Sequence, residues 1–171
     1  MKVISLHKEE KELIELAVEN NRHAQHQIYS KYAPKMLSVC RQYIKDVHQA
    51  EDIMITAFMK VFTNLKNFKH EGSFEGWMRR VFVSVATRYA AKRKIIFSEI
   101  NVTDSDINTI DPSVVSKLSE DEIHRMIRLL PEGYRLVFNL NIIEGYSHEE
   151  IGSLLGIQAS TSRTQLVKAR R

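Results

Sequence analysis

The chain has little of what breaks or staples a fold. Of its 171 residues only 3 are proline and 6 glycine, and its single cysteine, Cys40, excludes an internal disulfide and a thiol-based zinc knuckle. Cys40 is expected to act as a buried small hydrophobe. No apolar run approaches the roughly 20 residues of a membrane span, and the segment Met1 to Glu10 lacks an apolar signal core before its charges resume. A cytoplasmic protein without membrane insertion is therefore expected. There is no phosphate-cradling glycine loop and no nucleophile motif, and His23 and His26, at i,i+3 spacing, find no third ligand. The expectation is a protein that is not an enzyme and carries no metal or cofactor. Glu51 and Asp52 adjoin on a helical pattern and point to different sides, unlike paired acid/base carboxylates.

Helical periodicity is what the chain has in quantity. An apolar share of 43% with 27% charged residues is ordinary for a globular protein, and 25 Lys and Arg against 21 Asp and Glu leave a charge of +4 that suits a polyanionic partner. Spacing of 3.6 recurs nearly throughout and strand alternation nowhere, which predicts an all-α protein of two small helical domains. The first, over 1–96, has helices at Lys8 to Glu19, Arg22 to Lys45, His48 to Asn67 and Ser73 to Lys94. Ile53, Ala57, Phe58, Val61 and Leu65 mark one buried stripe; Phe74, Trp77, Met78, Val81 and Val85 mark another, with Leu37, Tyr43 and Ile44 closing the core. From 97 to 118, Glu99, Asp104, Asp106 and Asp111 face only Lys117 and Pro112 breaks the period, so an acidic linker is expected. The second domain, 119–171, begins with a capping box at Ser119 and Glu122 and a helix to Leu130. Pro131 starts the next helix, with Tyr134, Val137, Phe138 and Ile142 predicted inward.

Two surfaces carry chemistry. Near the C-terminus, Gly145 to Ile157 followed by Ser160 to Arg170 has the pattern of a helix-turn-helix: Ser147 and Glu150 form a capping box, Gly156 supplies a left-handed stop, and Ile151, Leu154, Leu155 and Leu166 face inward. Thr161, Ser162, Arg163, Gln165, Lys168 and Arg170 are then expected outward on the second helix. Those residue types hydrogen-bond phosphates and base edges in a major groove. Upstream, Arg80, Ser84, Arg88 and Lys92 recur every four residues and so line one helix face, with Lys69 and His70 in the loop before them. Phe74, Trp77, Phe82 and Tyr89 interleave with these charges, a mixture suited to single-stranded nucleic acid, in which cations hold phosphates and rings stack on bases. Trp77 is assigned to the core, whereas Phe74 and Tyr89 fit the core and the nucleic-acid face about equally.

In this order the elements resemble a bacterial RNA polymerase sigma factor of the extracytoplasmic-function (ECF) subfamily of the sigma-70 family. Three segments carry the resemblance. Asp46 to Phe62, with Ala50-Glu-Asp52 and Phe58-Met-Lys-Val61, resembles the helix that docks on core polymerase. Phe68 to Lys94, with Gly72-Ser-Phe74 and Trp77-Met-Arg-Arg-Val81, resembles the loop and helix that open and read the minus-10 element. Leu130-Pro-Glu-Gly-Tyr134 and the helix-turn-helix resemble the domain that reads the minus-35 element.

The resemblance implies a subunit that binds core polymerase and promoter DNA and directs initiation. Its partners would be the clamp helices of the beta-prime subunit, the beta flap and an anti-sigma factor. Glu51, Asp52, Ile55, Thr56 and Met59 would contact core polymerase. Lys69, His70, Phe74, Arg80, Ser84, Arg88 and Lys92 would contact the minus-10 strand, and the six outward residues of the second helix the minus-35 duplex. The acidic linker would thread the polymerase cleft.

Departures accompany the likeness. Ile55 and Thr56 replace a usual Gln and acid, Ser84 and Arg88 replace Asn and Asp, and Gln158-Ala-Ser160 replaces a common Ser-Glu-Gly, weakening a cap. Gly152 sits where Ala is frequent, and a short family tail would be expected beyond Arg171. The residues alone also admit a stand-alone helix-turn-helix regulator of duplex DNA, or a helical adaptor. Against the regulator, no heptad run for dimerisation is visible.

Overall fold

In a computed structural model, residues 2–92 and 120–170 are described; the acidic segment 97–118 and the capping position Ser119 lie outside them. No strand occurs among the described residues, in agreement with the all-α expectation. None of their helices is long and apolar enough to cross a membrane. The chain divides into two compact units, Met1–Ala86 and Thr87–Arg171, and the division falls within a long helix.

The first unit is built by helices whose ends are set by local chemistry. Helix α1 spans Lys2–Val18 and stops at Asn20, one of the few non-glycine residue types that enters the left-handed region readily (φ 62°). Asn21 then caps α2, Arg22–Tyr43, its side chain accepting from the N–H groups of His23 and Ala24. Pro34 sits inside α2 on the exposed side, and Ser30, whose carbonyl loses its helical donor, is exposed as well, so water can replace that bond. Helix α3, Val47–Asn64, is capped by Asp46, which accepts from Gln49 N at 2.8 Å, and tightens into a 3-10 turn at Leu65–Asn67. Because the helix begins at Val47, its acid is at the cap and Glu51 and Asp52 lie beyond the first turn.

Helix α4, Phe74–Lys92, completes the core against α2 and α3. The Phe58 ring on α3 meets Phe82 of α4 edge-on at 4.9 Å and Tyr29 of α2 at 4.8 Å. The expected stripe Ile53, Ala57, Phe58, Val61, Leu65 is buried throughout, as are Tyr43 and Ile44, whereas Leu37 is half-buried while Met36, Val39 and Cys40 fill the centre. Burial pushes the Cys40 thiol up to about 12. On α4 the stripe is broader than the periodicity predicts: Met78, Phe82, Val83, Val85, Ala86 and Ala90 are buried, and Val81 only half so.

Polar links brace these packings. Glu10 of α1 accepts from Lys31 Nζ (2.6 Å) and from the Tyr32 hydroxyl on α2, and Lys35 of α2 pairs with Glu75 of α4 at 2.5 Å. Burial and the bond to Glu10 push the Tyr32 phenol up to about 12.

In the second unit, α5 (Glu120–Leu129) precedes α6 (Glu132–Phe138), which follows Pro131 as expected. A π turn at Asn139–Ile143 prolongs α6; there Glu144 N donates to Asn139 O at 3.0 Å. The buried face is Leu136, Val137 and Leu140 together with Arg135; of the predicted row Tyr134, Val137, Phe138 and Ile142, only Val137 is fully buried. Tyr134 and Phe138 are half-buried, and Ile142, inside the π turn, is exposed. The wider turn breaks the 3.6 spacing from which the inward position of Ile142 was extrapolated. Burial lowers the Arg135 guanidinium's affinity for its proton, and nearby Glu132 opposes that shift. Helix α8 (Ala159–Ala169) packs on α6 and on α7 (His148–Leu155), α7 meets the π turn, and Ile151, Leu155 and Leu166 are buried there.

Candidate nucleic-acid interface

The turn between α7 and α8 is made by short-range chemistry. Ser147 Oγ accepts from Glu150 N (3.2 Å) while Glu150 Oε2 accepts from Ser147 N (2.8 Å), so two N–H groups orphaned at the start of α7 are satisfied reciprocally. Hydrogen bonding to the carboxyl from Ser147, its backbone N–H first and its side chain second, holds Glu150 below its ordinary value. Gly156, at φ 69°, ends α7, and its N–H and that of Ile157 both donate to Gly152 O, at 2.9 and 3.1 Å. The chain folds back so tightly that a Cβ on Gly152 would lie 2.7 Å from Ile157 O. Gln158, at the cap of α8, makes no side-chain bond to the backbone, as its replacement of a better capping residue led one to expect.

On α8, Arg163, Lys168 and Arg170 are exposed, and Thr161 and Gln165 are half-buried. Ser162 is a correction: it is fully buried rather than outward, its Oγ 2.9 Å from His148 Nδ1. It sits four residues before buried Leu166 and so shares its face toward α7. Gln165 is turned partly inward as well, its Oε1 buried and accepting no hydrogen bond among the described residues. Arg163 is exposed but engaged, Nη2 donating to Glu149 Oε1 on α7 at 2.6 Å. Ser160 and Thr164, not assigned a role from the sequence, are exposed on the same helix.

Along α4 the basic rail is present. Arg80, Arg88 and Lys92 are exposed along α4, Ser84 between them is half-buried, and Arg79 reaches Gln42 on α2 at 3.5 Å. Lys69 and His70 project from the preceding loop, where His70 (φ 59°) and Gly72 (φ 88°) both take left-handed backbone. A non-glycine residue in that region costs of order 1 kcal/mol.

The aromatics differ in burial. Phe74 is only 2% exposed, as its place on the buried stripe predicts and against the minus-10 contact that the resemblance implies: Tyr32 meets it edge-on at 5.8 Å and Phe68 packs at 5.3 Å. Position in the first turn of α4 points its ring at α2 instead of solvent. Trp77, assigned to the core, is half-buried, stacked on Phe74 at 5.9 Å and beside Phe68 at 5.5 Å. Phe82 is fully buried and Tyr89 half so.

A third surface lies on α3, opposite its buried stripe: Glu51, Asp52, Ile55, Thr56 and Met59 are all exposed, with Ile55 at 51% and Met59 at 67%. Thr56 Oγ1 donates to Asp52 O at 3.0 Å, satisfying its hydroxyl locally. The face is therefore apolar at its centre and acidic at one end.

Comparison with known proteins assigns both units. Residues 28–95 match the family Sigma-70 region 2 and residues 120–171 the family Sigma-70, region 4. The chain belongs to the sigma-70 family. Over 174 residues it is 25% identical to the RNA polymerase sigma-H factor of Pseudomonas aeruginosa, covering 95% of this chain and 90% of that protein. It is 27% identical to the ECF RNA polymerase sigma factor SigW of Bacillus subtilis, covering 81% of each. Among solved structures, CnrH in complex with the cytosolic domain of CnrY is similar at 17% identity and a TM-score of 0.48, covering 92% of this chain and 90% of that one. This sigma factor is thus of ECF type, binds core RNA polymerase and directs promoter-specific initiation. A stand-alone helix-turn-helix regulator would account for the region 4 match alone and leaves region 2 unexplained.

Proposed function

We propose that the three exposed surfaces divide the work of initiation, with 1–96 binding core polymerase and the minus-10 strand and 119–171 the minus-35 duplex. The α3 face of Glu51, Asp52, Ile55, Thr56 and Met59 docks on the clamp helices of the beta-prime subunit. The observation that carries this is the pair Ile55 and Met59, exposed on a helix whose other side is wholly core. Apolar contact there supplies binding energy, and Asp52 and Glu51 supply orientation toward a basic partner. An anti-sigma domain that covers the same pair would block docking.

Lys69, His70, Arg80, Ser84, Arg88 and Lys92 hold the minus-10 strand as it separates, with Trp77 rather than Phe74 as the ring accessible to a base. Opening about ten base-pair steps costs on the order of 14 kcal/mol at ~1.4 each, while a stacked base returns only about 1 to 3. One ring and a short rail do not meet that cost, so opening requires polymerase and the free protein binds duplex weakly. Thr161, Arg163, Gln165, Lys168 and Arg170 meet the minus-35 duplex, Arg163 and Gln165 nearest base edges and the last two at the backbone.

The test is Asp52→Arg combined with Thr56→Arg, two exposed positions, with affinity for core enzyme measured beside the thermal melt. Binding is expected to fall at least tenfold with the melt unchanged. A folded double variant that binds core enzyme as the parent does would refute the docking assignment.

A further inference from the structure

Helix α8 carries no acidic residue, yet a carboxylate lies on its reading surface, because Glu149 of α7 reaches across the turn to Arg163 at 2.6 Å. As a stabilising contact this pair has little value: the two side chains are 67% and 57% exposed, and such ion pairs add little to folding. As part of a surface presented to phosphates, an acid is unfavourable unless it does something else. Its placement is also set by the fold. One residue earlier on each helix, His148 Nδ1 lies 2.9 Å from the fully buried Ser162 Oγ, so residues 148 and 149 face 162 and 163 in register across the α7–α8 contact.

We infer that Glu149 is a positioning residue for upstream-element recognition: it holds Arg163 in the orientation in which that side chain reads a base. A guanidinium has five N–H donors in a rigid planar fork. Glu149 engages one edge through Nη2, and the donors that remain match the O6 and N7 acceptors of a guanine. Two effects follow. Arg163 is restrained before DNA arrives, so less rotamer freedom is lost on binding. The adjacent negative charge also opposes capture of Arg163 by a phosphate, which biases it from gripping toward reading. The sequence does not display this, since an acid in the first turn of a helix has a sufficient role at the helix dipole.

The inference rests on the reading of α8 as the helix that meets the minus-35 duplex, and the experiment separates the two. Holoenzyme reconstituted with the full chain is offered a pool of promoters randomised in the upstream element, and base preference is read at each position for the parent, Glu149→Ala, Glu149→Gln, Arg163→Ala and the Ala double variant. Arg163→Ala is expected to relax preference at one position. Glu149→Ala should relax the same position by roughly threefold to tenfold. The double variant should be no worse than Arg163→Ala alone, and Glu149→Gln, which keeps an acceptor oxygen, should retain more preference than Glu149→Ala. A merely structural role for Glu149 would lower the melt and weaken all sequences alike, and that result overturns the inference. So does unchanged preference in Glu149→Ala when Arg163→Ala has relaxed it. If Arg163→Ala itself leaves every preference unaltered, the reading of Arg163 as a base contact falls, and the inference with it.

Discussion

Replacing Lys168 with alanine removes an exposed ammonium from the last turn of α8 that has no ion-pair partner among the described residues. If that charge grips a phosphate, the variant loses one counterion-release event, and the slope of log affinity against log salt should shrink by about 0.9. Between 50 and 200 mM salt, a fourfold change, the advantage of the parent over the variant should then fall by about 3.5-fold. Lys168 also lies where a cation favours the helix dipole, so about 0.3 to 1 kcal/mol of local stability goes with it, and a thermal melt must accompany the titration. The assay is holoenzyme binding to a duplex bearing the upstream element, followed by anisotropy at four or more salt concentrations. Arg163→Ala is the internal comparison. Glu149 already neutralises that guanidinium, so its slope should change by clearly less than that of Lys168→Ala. Superimposable slopes for the parent and Lys168→Ala would refute the backbone contact, whatever the absolute affinities.

Two further outcomes test the turn itself. Gly152→Ala gains roughly 0.5 to 1 kcal/mol in helix propensity, but its methyl would lie 2.7 Å from a backbone carbonyl that cannot rotate away; the melt should fall, and a raised melt would show that the turn can relax. The Glu150 carboxyl is held below its ordinary value of 4.5, so the capping box contributes fully above the unfolded carboxylate's pKa and is lost as pH falls through the folded one. Melts taken from neutral to acid pH should therefore show a shallower acid decline for Glu150→Gln than for the parent, and identical curves would contradict the coupling.

Features closed by residues within about four positions of one another were legible in the chain. The Ser147 and Glu150 box, the left-handed stop at Gly156 and the start after Pro131 occur where expected, because capping exchanges hydrogen bonds between near neighbours and needs no distant partner. The exposed face of α3 was legible for a related reason: with Ile53, Ala57, Phe58 and Val61 on one side, helical geometry puts Ile55, Thr56 and Met59 on the other. Where local order departs from 3.6 spacing, as at the π turn from Asn139, the extrapolation lost its face and Ile142 emerged at the surface.

By itself, then, the sequence determined the helices, their caps, the polar or apolar character of each face and the order of elements that marks a sigma factor. Tertiary structure decided which of two adjacent aromatics is covered and which cation is spoken for. Phe74 is buried because Tyr32, 42 residues earlier, occupies the space its ring points into, and Trp77 then has only the edge of that cluster to lie on. Ser162 shares the inward face of Leu166, and only the packed helix decides that His148 meets it there and that Glu149, next to His148, meets Arg163. Periodicity states that a side chain has a face; the element packed there, brought close by a turn or by the whole fold, determines what that face meets.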